Sequence, residues 1–176
     1  MQINLFSIPV FVDNIDASKI NFDNLKYKNN FQSEVKSSFG TNSQINKESM
    51  DYLIEIIGRN IFNFIKKGFK LKIDHIWQNF YDNNDYQEKH IHARSDFSFI
   101  VYKKIKESKT VFVAPHNYIV ECFYSRKFLE QYFQTFFEPK CRENQIIIFP
   151  SFLEHMVKTT TNALTISGNF SVENNE

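Results

Sequence analysis

A change of hydrophobic period near Gly68 constrains this chain more than any other feature. Before it, Met50, Leu53, Ile54, Ile57, Ile61, Phe64 and Ile65 fall three or four residues apart between Lys47 and Lys67, the spacing of one helix face. After it, apolar residues come in short runs rich in β-branched and aromatic side chains. These runs are Lys70 to Tyr81, Phe97 to Ile105, Thr110 to Ala114, Tyr118 to Phe123, Gln145 to Phe149 and Ala163 to Val172. Helical material first and strands afterwards, with turns rich in Asn, Asp and Ser, predicts a mainly β (α+β) fold. The expected form is an antiparallel sandwich or jelly roll with N-terminal helices packed on one outer face.

Local signals set the expected ends of these elements. Asn46 or Ser49 is placed to cap the helix, and Lys66, Lys67 and Gly68 to end it, as cations and a left-handed residue do. The opening run from Ile3 to Val12 reads as an edge strand, because Pro9 lacks the N–H that an inner strand needs. Residues 13–46 carry scattered apolar side chains (Ile20, Phe22, Leu25, Phe31, Val35, Phe39) and read as loops and short helix over the domain. A second short helix is expected from Ser125 to Phe137.

The length of 176 residues suits a single domain spanning 1–176. Twenty Phe residues supply surface for a sizeable core. A formal charge of +1 gives no general attraction to nucleic acid or anionic lipid. Cys122 and Cys141 are the only cysteines, and no secretion-like leader is visible, so a reducing, cytoplasmic location is expected. No apolar run approaches the roughly 20 residues that cross a bilayer, so no membrane partner is expected.

Three of the five histidines stand where one cation could gather them. His90 and His92 precede the strand that begins at Phe97, and extended chain turns residues two apart to the same face. His155 follows the Pro150 turn after an apolar strand. Distant strands lie side by side in a jelly roll, so His155 can join the pair and leave open coordination positions. His75 and His116 have no partner at ligand spacing and read as structural, although His75 lies beside Trp77. Two His with one carboxylate suit non-haem iron, whereas three His with an open position also suit zinc. Asp96, Glu88 and Glu154 are the nearby carboxylates. Asp96 is the first choice among them, either as a replacement ligand or as acceptor for a ligand's second N–H.

Several blocks together resemble the 2-oxoglutarate and Fe(II)-dependent oxygenases common in marine phages and bacteria, of the prolyl-hydroxylase-like superfamily. They are Leu5-Phe6-Ser7-Ile8-Pro9-Val10, Ile76-Trp77-Gln78-Asn79, His90-Ile91-His92, the strand Phe97-Ser98 to Tyr102, and Phe149-Pro150-Ser151-Phe152-Leu153-Glu154-His155-Met156-Val157. The resemblance implies a double-stranded β-helix holding Fe(II) and the co-substrate 2-oxoglutarate, and hydroxylation of a second substrate. It makes His90 and His155 ligands and puts His92 where relatives carry Asp or Glu. The superfamily also supplies an Arg in the final strand to pair with the far carboxylate of 2-oxoglutarate, and Ala163 stands there. Thr165 then keeps a hydroxyl contact, Asn79 and Tyr102 lie at the co-substrate pocket, and Lys158, Lys104 and Arg94 are candidate replacement cations.

Two other readings stay open. His90-x-His92-x-x-x-Asp96 with a later His also resembles the cupin ligand pattern, which implies a metalloenzyme that uses no 2-oxoglutarate. The third reading is a catalytically inactive β-helix binding module. A small molecule, a protein side chain or a nucleobase all remain open as substrate, and the sequence is silent on oligomeric state.

Overall fold

The computed structural model describes residues 7–30, 35–62, 64, 68–123 and 134–174. Within them the chain forms strands β1 (Phe11–Asn14), β2 (Phe22–Asp23), β3 (Lys28–Asn30), β4 (Val35–Ser37) and β5 (Gln44–Ile45), then helix α1 (Lys47–Ile61). Strands β6 (Phe69–Tyr81), β7 (Asp85–His90), β8 (Phe97–Lys104) and β9 (Thr110–Val113) follow, and then helix α2 (Asn117–Phe123). The last strands are β10 (Phe136–Phe137), β11 (Gln145–Pro150), β12 (His155–Thr160) and β13 (Ala163–Asn174). The larger sheet runs β1-β11-β8-β13-β6-β4-β3, the smaller runs β10-β9-β12-β7, and β2 pairs with β5. Every pairing is antiparallel.

Side-chain alternation shows how these layers stack. In β8, Phe97, Phe99 and Val101 join one core cluster, while Ile100 and Tyr102 join another. In β11, Ile146 and Ile148 go with the first set, Ile147 and Phe149 with the second. The first cluster includes Leu53, Ile56, Ile57 and Ile61, so α1 covers the outer face of the larger sheet. The second includes Phe112 of β9 and Leu153, and fills the space between the two sheets. The central strands are buried on both faces, which is why they read as continuous apolar runs.

The cap of α1 resolves to Asn46, whose side-chain oxygen accepts the Ser49 N–H at 2.9 Å. Ser49, the other candidate, is buried. It donates its hydroxyl to the Lys19 carbonyl at 2.7 Å and accepts the Asn21 N–H at 2.9 Å. Asn46→Ala is expected to cost about 1 kcal/mol. Urea denaturation checks this as a lower midpoint with an unchanged slope.

The structure corrects four expectations. The N-terminal helices are not formed: among the described residues, 13–46 contribute one 3₁₀ turn, Ala17–Lys19, and short strands, so α1 is the one α-helix on the outer face, where Ile15, Ala17 and Ile20 pack beside it. Apolar residues there are too sparse to give a helix a continuous buried stripe. The run Tyr118 to Phe123 lies in helix α2 and not in a strand. Both edges of β9 are taken, by β10 and β12, so no pairing position was left beside it. Of the helix expected from Ser125 to Phe137, residues 124–133 lie outside the described residues, and Phe136–Phe137 pair with β9 as strand β10. The helix expected to reach Lys67 ends at Ile61. No helix among the described residues is long and apolar enough to cross a membrane.

Candidate metal centre

Strand register brings the histidines together. His90 is the last residue of β7 and His155 the first of β12, and the antiparallel pairing sets them directly opposite each other. His92 lies two residues beyond β7, where its backbone N–H donates to the Ser151 carbonyl at 3.0 Å. Ring centroids are 4.3 Å apart for His90 and His155, 5.0 Å for His92 and His155, and 5.1 Å for His90 and His92. One nitrogen from each ring lies within 4.8 Å of the others.

The opposite edge of each ring is already engaged. His90 Nδ1 donates to the Glu88 carbonyl at 2.7 Å, and His155 Nδ1 donates to the Leu153 carbonyl at 3.0 Å. His92 Nδ1 bonds the Asn169 side-chain oxygen, with Ser98 Oγ at 3.2 Å. An oxygen acceptor at Nδ1 places the proton there and leaves the lone pair of each neutral ring at Nε2. Ser98 Oγ lies 2.7 Å from Ser151 Oγ and donates to Asn169 Oδ1 at 3.0 Å, so buried hydroxyls fix the amide that fixes His92.

Burial favours the neutral rings. His155, packed between Phe149 and Phe112, has its pKa pushed down to about 3 by desolvation first and the neighbouring His90 second. Desolvation also lowers His92, with the Asn169 hydrogen bond opposing it. A neutral imidazole is the form that gives its lone pair to a cation. Three rings, each with Nδ1 held against an oxygen acceptor and one nitrogen within 4.8 Å of the others, fit one divalent ion. Asn169→Ala frees the His92 ring and is expected to weaken metal binding by about 10- to 100-fold. Competition against a chelator checks this.

The histidines line a cavity of about 310 Å³ between the sheets, with Phe39, His75, Trp77, Asn79, Gln87, Ile100, Ser167 and Asn169. Ser167 and Asn169 share a face of β13, as Trp77 and Asn79 share one of β6, because they stand two apart. Phe39 packs edge-on against Trp77 at 5.0 Å, and Trp77 rests against His92 at 5.5 Å.

A family profile described as "Putative 2OG-Fe(II) oxygenase" matches residues 75–169, from the cavity-lining His75 to the amide that holds His92. The chain belongs to this oxygenase family. Its metal is Fe(II) and its co-substrate 2-oxoglutarate. No curated protein matches the oxygenase in sequence. Among solved structures, an oxidoreductase of the 2OG-Fe(II) oxygenase family from Burkholderia pseudomallei is similar at a TM-score of 0.55 and 12% identity, over 88% of this chain and 74% of that one. A Pseudomonas putida prolyl-4-hydroxylase is similar at 0.51 and 10% identity, over 94% of each chain. These likenesses show a shared fold.

The remaining candidates fall in different places in this oxygenase. Asn79 lines the cavity. Thr165 and Tyr102 are buried one step deeper, where Tyr102 donates to Thr110 Oγ1 at 2.9 Å. The replacement cations do not reach the cavity: Lys158 is exposed and ion-paired with Glu138, Lys104 is exposed and donates to Asn162 at 2.9 Å, and Arg94 is exposed. For Lys158 the reason is parity, since His155 and Val157 face the interior and the next residue faces out. Asp96 is not in the cluster either. Its carboxylate accepts the Val172 N–H at 2.8 Å, which removes the carboxylate that a cupin pattern needs. Sequence reasoning missed Asn169 and Ser98, inside strands, and Ser151, in the turn after β11, because such polar residues give no signal until the fold brings them to a ring.

Proposed function

We propose that His90, His92 and His155 hold one Fe(II) through Nε2 in a single-domain double-stranded β-helix, and that 2-oxoglutarate enters the open positions from the cavity. The reaction is hydroxylation of a second substrate arriving past Phe39, Ile91 and Ala93, exposed residues of the cavity lining. The observation that supports this reading is the convergence of three imidazoles whose Nδ1 groups are all tied to oxygen acceptors. When bound, iron with 2-oxoglutarate would supply oxygen activation: the co-substrate is decarboxylated to succinate and CO2, succinate takes one atom of O2, and the other is inserted into a C–H bond. The protein supplies position and exclusion of water. The Glu88 and Leu153 carbonyls and Asn169 orient the rings, while Phe112 and Phe149 shield His155. Fe(II) and 2-oxoglutarate added without oxygen should give a weak visible charge-transfer band, and admission of oxygen should then release succinate. A protein that shows neither, with its metal content confirmed, overturns the proposal.

A further inference from the structure

Two residues that line the cavity each carry a buried polar group with no partner among the described residues: the indole Nε1–H of Trp77 and the side-chain oxygen of Asn79. Trp77 is 6% exposed and Asn79 only 1%. An unmade hydrogen bond at such a site costs more than a made one contributes, so both groups call for a ligand. They stand two apart on β6, opposite Ser167 and Thr165 of β13, and line the same wall leading inward from His92. Asn79 Nδ2 reaches Ser167 Oγ only at 3.5 Å. Turning the amide over gives its oxygen to the Ser167 hydroxyl and its NH₂ to the cavity, so the wall can offer two neutral donors.

The wall also lacks what a carboxylate normally meets. No lysine or arginine lines the cavity among the described residues. The space beyond Ile100 and Ser167 is a separate void of about 20 Å³, enough for one water. Lys109 borders that void, with its ammonium 3.0 Å from the Glu107 carboxylate. A ligand chain extending from the metal therefore ends at Trp77 and Asn79.

We propose, resting on the metal reading above, that Trp77 and Asn79 hold the far end of the co-substrate through neutral hydrogen bonds, and that the site accepts 2-oxo acids with an uncharged far end nearly as well as 2-oxoglutarate. A charged end leaves water for neutral donors only and gains no ion pair to offset its desolvation. With three neutral ligands the metal keeps its full charge for the anionic end of the acid that it binds. Trp77 and Asn79 are thus specificity-determining residues for the family reaction.

Trp77 is the chain's single tryptophan, so intrinsic fluorescence reports on this wall alone. Zn(II)-loaded protein, which is redox-inert, is titrated with 2-oxoglutarate and with its 5-methyl ester, whose far end is uncharged but keeps a carbonyl acceptor. Both acids should change the emission, with dissociation constants within about tenfold of each other. Asn79→Ala should weaken both by about 5- to 10-fold, the loss of one neutral hydrogen bond. Trp77→Phe keeps the ring but not the N–H. Followed by thermal shift over Zn(II) alone, it should lower both affinities to the same degree. A preference for 2-oxoglutarate above about a hundredfold, or unchanged affinities in both variants, overturns the proposal. Zn(II) stabilising the protein while neither acid binds also overturns it and leaves the metal site standing. Zn(II) giving no stabilisation overturns both.

Discussion

His155→Ala will leave a protein that gains no thermal stability from Fe(II), Mn(II) or Zn(II) and forms no succinate. His155 lies 4.3 Å from His90 and 5.0 Å from His92 between ring centroids, and it starts the strand that lies between β7 and β9. Removing one of the three proposed nitrogen ligands should cost more than the 10- to 100-fold typical of losing an orienting hydrogen bond. A ligand at a thousand times its dissociation constant stabilises the folded state by about 4 kcal/mol, so the loss is well within reach of a melting experiment. The ring also fills space between Phe112 and Phe149, and its removal weakens the metal-free protein too. The comparison that decides is therefore between metal-loaded and metal-free samples of the same variant. Full metal stabilisation of His155→Ala would rule out this histidine as a ligand.

Gly168→Ala should destabilise the protein by about 3 kcal/mol and weaken metal binding with it. A Cβ at Gly168 would stand 2.4 Å from Phe99 Cζ, 2.7 Å from Cε1 and 2.8 Å from the His75 carbonyl oxygen. Phe99 is fully buried in the cluster under α1 and has no free volume to turn into. The carbonyl belongs to β6, paired across from Gly168, so it moves only if β6 and β13 separate. Those two strands carry Trp77, Asn79, Ser167 and Asn169, so a shift there reaches the cavity and the amide behind His92. Asn46→Ala, at the far side of the larger sheet, should leave metal affinity unchanged. Urea denaturation and a chelator competition measure the two effects, and a stability change under about 0.5 kcal/mol would show that the strands give way more easily than the geometry implies.

Much of the scaffold was legible because its signals are local. The period of α1 lies within four turns, and the apolar runs of β6, β8, β11 and β13 sit close to where they were expected. β7 gave no such signal: Asp85–His90 is polar apart from Tyr86, and it is a strand because β12 pairs with it. Conversely, the β-branched run in α2 looked like a strand, but both sides of β9, the strand before it, are taken by β10 and β12.

By itself the sequence determined which residues could bind a cation, that His90 and His92 are paired across one spacer, and that Ala163 stands in a strand where a guanidinium was expected. Only the tertiary structure decided that His155 faces His90 across a ladder, that Asn169, 77 residues from His92, sets its tautomer, and that Lys158 faces outward. Composition and period act over a few residues, where one turn or one pleat dictates direction. Register is chosen by the whole core at once, and a shift of one residue sends every side chain of a strand to its opposite face.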